Sequence, residues 1–146
     1  MSPSVSIAHL AVLLPVLAFA AVLDWRSRRV PNTLVGPLAL AGFIAQTLEF
    51  GLRGLGLALG AAAIGAVCTL PFYLLRGMAA GDVKLMAAVG AWFAPAVASW
   101  VVAFTFLVGG VLGIALTLAG RRRHGVPYAL AIAIGTASTL LLMRTG

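Results

Sequence analysis

Acidic side chains are nearly missing from this sequence: Asp24, Glu49 and Asp82 are its three carboxylates in 146 residues, against ten lysines and arginines. Charged residues of both signs make up 9% of the chain, which excludes an ordinary soluble domain, where about a quarter of residues are charged. The single cysteine, Cys68, stands in the middle of an apolar segment. It builds neither a disulfide framework nor a thiolate metal site within one chain, and it is expected to be a small buried core residue. No basic segment precedes the first apolar run and no persuasive small-residue cleavage site lies within it, so that run is expected to be a retained helix.

What is present is apolar surface. Hydrophobic residues form 62% of the sequence and the mean hydropathy is +1.12, values of an integral membrane protein. At ~20 residues per spanning helix, the length holds about six spans. Residues 1–146 are therefore expected to form a single all-α, polytopic membrane domain with no room for a soluble one. The net charge of +7 does not point to nucleic acid, because the basic residues sit in short runs between apolar segments rather than on one face.

Taken in order, the spans are expected at about Ile7 to Leu23, Thr33 to Phe50, Leu55 to Leu75, Val83 to Phe93, Ala96 to Ala119 and Val126 to Met143. The fourth is short, because Pro95 disfavours a helix continuous with the fifth. The turns after the first, third and fifth spans hold Arg26, Arg28, Arg29, Arg76, Lys84, Arg121, Arg122 and Arg123, while the opposite side holds Arg53 and Arg144. Lysine and arginine in short loops favour the cytoplasm, so both termini are expected to face outward. Asp24 and Asp82 then fall on the same, cytoplasmic side, joined there by the basic turn Arg121 to His124.

The stretch from Arg76 to Lys84 interrupts the apolar sequence with small residues and one acid, Asp82. An acid where a flexible loop enters an apolar helix is a functional-site candidate. Gly81 beside it lets a substrate backbone approach and adopts angles closed to other residues, and a position at the helix N-terminus favours the ionised carboxylate. Asp24, at the end of the first span, has two open readings: an ion pair with Arg26 or Arg28, or a partner acid for Asp82. Two neighbouring carboxyl groups share a proton, one acting as base toward water and the other donating to a carbonyl oxygen. That is peptide-hydrolysis chemistry, although acids near helix ends also serve ion transport.

The segment Gly77-Met78-Ala79-Ala80-Gly81-Asp82-Val83-Lys84-Leu85-Met86 resembles the signature of the prepilin peptidases, the type IV leader peptidase family of membrane aspartyl proteases. Asp24 with Arg28-Arg29-Val30-Pro31-Asn32 resembles the family's first catalytic-acid motif, and Gly125-Val126-Pro127-Tyr128 is similar to its final turn. The resemblance covers nearly the whole chain. It implies that Asp24 and Asp82 are the catalytic dyad, with Gly81, Ala79, Lys84, Pro31, Asn32 and Pro127 supporting the site and no metal or other cofactor. It also implies a bacterial inner-membrane location, and as substrate a prepilin precursor whose short basic leader is cut at the cytoplasmic boundary of its hydrophobic helix. Membrane lipid and the pilus assembly machinery are the further partners expected. Larger members carry an N-terminal region that methylates the product; the short sequence is similar to the peptidase-only branch associated with tight-adherence (Flp-type) pili. One departure is Ala79, where the family has glycine, and alanine resists positive φ.

Other polar residues have plainer readings. Glu49 is expected at the outer edge away from the dyad, His9 as a hydrogen-bonded bundle residue, His124 as part of a topology-setting turn, and Lys84 as either an interfacial anchor or an orienting group. Glycines at 54, 56, 60, 65, 109, 110 and 113 reflect close helix packing, with the third span a possible guide for a substrate helix. Two further classes compete with the peptidase: a proton- or cation-coupled transporter using the same acids, and a non-catalytic scaffold in which both are dispensable.

Overall fold

A computed structural model describes residues 6–121 and 125–146. Arg122, Arg123 and His124, read above as part of a basic turn, lie outside them. Among the described residues all regular structure is helical: α1 (Ile7–Ser27), α2 (Asn32–Leu74), α3 (Ala80–Gly90), α4 (Pro95–Leu118) and α5 (Tyr128–Thr145). Runs rich in alanine and leucine favour helix, and only a helix satisfies its own backbone in hydrocarbon. Four helices, α1, α2, α4 and α5, are long and apolar enough to cross a membrane.

The difference from six expected spans lies in α2 and α3. The turn expected at Gly51 to Gly54 narrows to one residue, since only Gly51 leaves helical geometry (φ 64, ψ −149). That left-handed φ is open to glycine and strained for other residues. At ~1.5 Å per residue a straight α2 would be about 65 Å long, but the chain folds back at Gly51. Gly54 abuts the Gln46 carbonyl, leaving no room for a Cβ, and both arms of α2 lie against α3. The first arm meets the turn just past α3 at Trp92, whose indole N–H donates to the Leu38 carbonyl (3.0 Å) and whose carbonyl accepts from Gln46 Nε2 (2.7 Å). The second meets it where a Cβ on Gly65 would lie 2.7 Å from the Met86 carbonyl, and one on Gly90 2.6 Å from that of Ala61.

Short α3 is therefore the centre of the bundle. Leu85, Met86, Ala88, Val89, Trp92 and Phe93 are all buried, joined in one core with Leu13 and Leu17 of α1, Val97 and Val101 of α4, and Ile132 of α5. Its 11 residues span only ~16 Å, about half of a bilayer core. Pro95 occupies the first position of α4, where its missing N–H is harmless, which explains the break.

Cys68 corrects one expectation, for it is exposed on the outer face of α2. In a protein whose exterior is itself apolar, a small apolar residue gains little from being inside.

Candidate active site

Two helix ends bring the acids together. α1 runs one turn beyond its expected end, so Asp24 sits inside the helix rather than in the following loop; the helix stops when Arg28 turns left-handed (φ 56, ψ 26) and its N–H bonds the Asp24 carbonyl. Asp82 is likewise inside α3, in its first turn, rather than just ahead of it. Its Oδ2 accepts from the Ala79 N–H at 3.3 Å, satisfying one donor orphaned at the helix start. Ala79 has no side-chain oxygen to return the contact.

Both acids are buried, Asp24 with 6% and Asp82 with 5% of its surface exposed, and both line the same cavity at one end of the bundle. One lobe, of about 390 Å³, runs from Asp24 and Arg28 past Arg76, Met78 and Ala79 to Gly125 and Tyr128. The other, of about 410 Å³, runs along Arg29 to Asn32, Gly81 and Lys84. Asp24, Arg28, Ala79 and Asp82 are common to the two lobes. The loops after α1, after α2 and before α5 thus all contribute to one site.

Among the described residues no cation lies within ion-pair distance of Asp24 or Asp82. Among the described residues the one ion pair joins His9 to Glu49 at 3.5 Å, so the reading of Asp24 as half of an ion pair with Arg26 or Arg28 is not what the fold builds. Arg28 instead donates from Nη1 to the Gly125 carbonyl at 2.7 Å, tying the α1–α2 loop to the approach to α5. Asp24 Oδ2 is held from that same approach, by the Ala129 N–H at 3.2 Å. Lys84 Nζ lies 3.4 Å from Asn32 Oδ1, linking α3 to the start of α2. Pro31 caps α2 in extended geometry (φ −71, ψ 142), and Pro127, buried, caps α5.

Electrostatics reverse one expectation. Burial, reinforced by the charge of Asp24 and opposed by the Ala79 N–H, pushes the Asp82 carboxyl up to about 7. The helix N-terminus was expected to favour its ionised form, but desolvation outweighs a dipole contribution of at most ~2 kcal/mol.

Gly81 and Ala79 also act differently from expectation. Gly81 is helical, so it does not use the angles closed to other residues, and a Cβ there would meet the Val30 carbonyl at 3.4 Å, an ordinary contact. Ala79 is extended (φ −79, ψ 154), so alanine is unstrained where the family has glycine. Tyr128, the last residue of the final motif, faces the cavity, and its place directly after Pro127 is the signal for it. Arg28, part of the first motif and a candidate ion-pairing or topological charge in the sequence, lines both lobes.

A helical bundle of membrane character with two buried, unpaired carboxyl groups in one terminal cavity defines a class, the membrane proteins with a paired-carboxyl site. Similarity narrows the class: residues 11–118 match the type IV leader peptidase family, and the chain belongs to that family. Two curated relatives, each called prepilin leader peptidase/N-methyltransferase, come from Burkholderia pseudomallei strains 1026b and K96243. Each is 35% identical over 137 residues, which cover 85% of this chain and 42% of the relative. The chain thus spans less than half the length of these relatives. No solved structure matches it.

Proposed function

We propose that residues 1–146 form a membrane aspartyl endopeptidase that removes the leader of type IV prepilins, Flp-type precursors being the first class to test. The observation that carries this reading is the pair of buried carboxyl groups sharing one cavity with, among the described residues, no cation bonded to either. The relatives, called prepilin leader peptidase/N-methyltransferase, support the substrate class.

The chemistry follows from the two environments. Near neutral pH the pair holds one proton, and Asp82, raised to about 7, is suited to carry it; the titration belongs to the pair as a unit. Asp24, fixed by the Ala129 N–H, takes a proton from water as the water oxygen bonds to the scissile carbonyl carbon. Asp82 gives its proton to the carbonyl oxygen. When the tetrahedral diol collapses, the carbon–nitrogen bond breaks, the leaving amine takes the proton from Asp24, and a diol hydroxyl returns one to Asp82. An extended peptide lying through both lobes passes the acids at their common wall. Gly81, Ala79, Pro31, Asn32, Lys84 and Pro127 belong to the loops and helix ends that frame it.

In the membrane we read α1, both arms of α2, α4 and α5 as crossing helices, with α3 a short sixth helix entering from the cavity end. The excess of lysine and arginine at that end supports a cytoplasmic cavity and outward termini, and the family supports a bacterial inner membrane. The test is purified protein in detergent with a Flp-type precursor, comparing wild type with Asp24→Asn and Asp82→Asn by product mass. Cleavage at one leader junction by wild type alone is the expected result, and cleavage by either variant would sink the dyad.

A further inference from the structure

We propose that Tyr128 is a further catalytic residue of this cavity: its phenolic hydroxyl donates a hydrogen bond to the carbonyl oxygen of the scissile peptide as charge builds there. The inference rests on the peptidase reading and deepens it. Two carboxyl groups supply a base and a proton, but a carbonyl oxygen has two lone pairs. In a site shielded from water a second fixed donor to that oxygen is among the strongest aids to acyl chemistry.

Tyr128 is built to be that donor. It is the first residue of α5 and lines the cavity lobe that contains both acids. The next residue, Ala129, donates its N–H to Asp24, so one turn of backbone sets both the ring and the acid. The ring is seated from behind by α4. A Cβ on Gly109 would lie 3.1 Å from Cε1 and 3.5 Å from Cδ1 of Tyr128, so the absence of a side chain at Gly109 is what admits the ring. The backbone ahead is fixed as well, with Pro127 at φ −75 and the Tyr128 N–H bonded to the Val126 carbonyl at 2.9 Å. Among the described residues the hydroxyl makes no hydrogen bond, which leaves it free for a ligand.

The other polar groups of the lobe suit the role less well. Arg28 is committed to the Gly125 carbonyl, and Tyr73 and Arg76 are exposed. A phenol, whose ordinary pKa is about 10, donates without changing the charge of the site. A purely structural tyrosine would need only its ring, and phenylalanine would replace it without loss.

The deciding experiment measures wild type, Tyr128→Phe and Asp82→Asn side by side in detergent on one Flp-type precursor, with a hydroxyethylene peptide as mimic of the tetrahedral intermediate. We expect Tyr128→Phe to lower kcat by roughly 10²-fold with KM within about threefold. The mimic should bind more weakly by a similar factor, because it presents the oxygen that the phenol contacts. The shape of the pH profile should stay as in wild type. A kcat within about threefold of wild type, a change confined to KM, or a displaced pH profile would overturn the proposal, the last by showing that Tyr128 acts only through the acids. If Asp82→Asn cleaves, or wild type does not, it is the peptidase reading that fails, and this inference fails with it.

Discussion

The two ends of the bundle treat their carboxylates in opposite ways. At one end Glu49 has His9 at 3.5 Å, and the His9 ring stands edge-on to Trp92, 5.7 Å between centroids, beside the bonds that Trp92 makes to Leu38 and Gln46. At the other end Arg28, Arg29, Arg76 and Lys84 line the cavity, yet neither Asp24 nor Asp82 forms an ion pair with any of them. Leaving a buried acid without a cation is destabilising. The fold accepts that cost in the cavity, whereas Glu49 at the far end is exposed and does not incur it. The difference separates an acid that solvent and a neighbouring histidine accommodate from a buried pair that is a functional-site candidate.

The largest expected effect tests that separation directly. Asp24→Asn or Asp82→Asn should reduce precursor cleavage by on the order of 10³-fold or more, read by mass spectrometry, while Glu49→Gln leaves the rate within about twofold. Comparable losses from all three would erase the contrast.

Next comes pH. With Asp82 raised to about 7, cleavage should fall about tenfold per unit as pH rises above 7 and the pair loses its shared proton. The same shift makes a stability prediction. In the window from 3.8, the ordinary value, to about 7, the folded state holds a proton that the unfolded chain has released, so raising pH favours unfolding. The melting temperature in detergent should therefore decline from pH 4 to pH 7, and less steeply in Asp82→Asn.

Smaller effects sharpen the picture. Arg28→Ala removes the bond to the Gly125 carbonyl and loosens the turn that holds Asp24, so kcat should fall by about tenfold, the scale of one charge-assisted hydrogen bond. Breaking the far pair with His9→Gln should lower stability by at most about 1 kcal/mol and leave kcat alone. Ala79→Gly should change activity by less than about twofold, because Ala79 already has an ordinary extended backbone; a large loss would mean that the loop works in another shape.

Much of this was legible in the sequence because hydrophobic runs and their breaks report helices directly. The stretch from Asp82 to Pro95 announced a short helix, and the structure has one of 11 residues. The misses have local causes. Helix ends are set by which carbonyls find donors, so α1 overran its expected end by a turn and took Asp24 with it. Hydropathy does not distinguish a turn of four residues from a fold-back at Gly51 alone. It is equally blind to which face of a membrane helix looks inward, and so Cys68 was assigned to the wrong side. The partners of Asp24 were illegible for another reason: the N–H that holds it belongs to Ala129, 105 residues away, and no short motif records such a contact.

That distance has a consequence for how the protein is made. The Ala129 N–H and the Tyr128 ring come from α5, which leaves the ribosome after the helices that carry the two acids, and α3, too short to cross a bilayer by itself, has its seat only once both arms of α2 are in place. Until α5 docks, Asp24 lacks its donor and the lobe beside it lacks a wall. A nascent chain thus carries both acids long before it carries a finished cavity. Synthesis itself delays the site, so that no partly inserted chain holds the assembled cavity against its neighbours in the membrane.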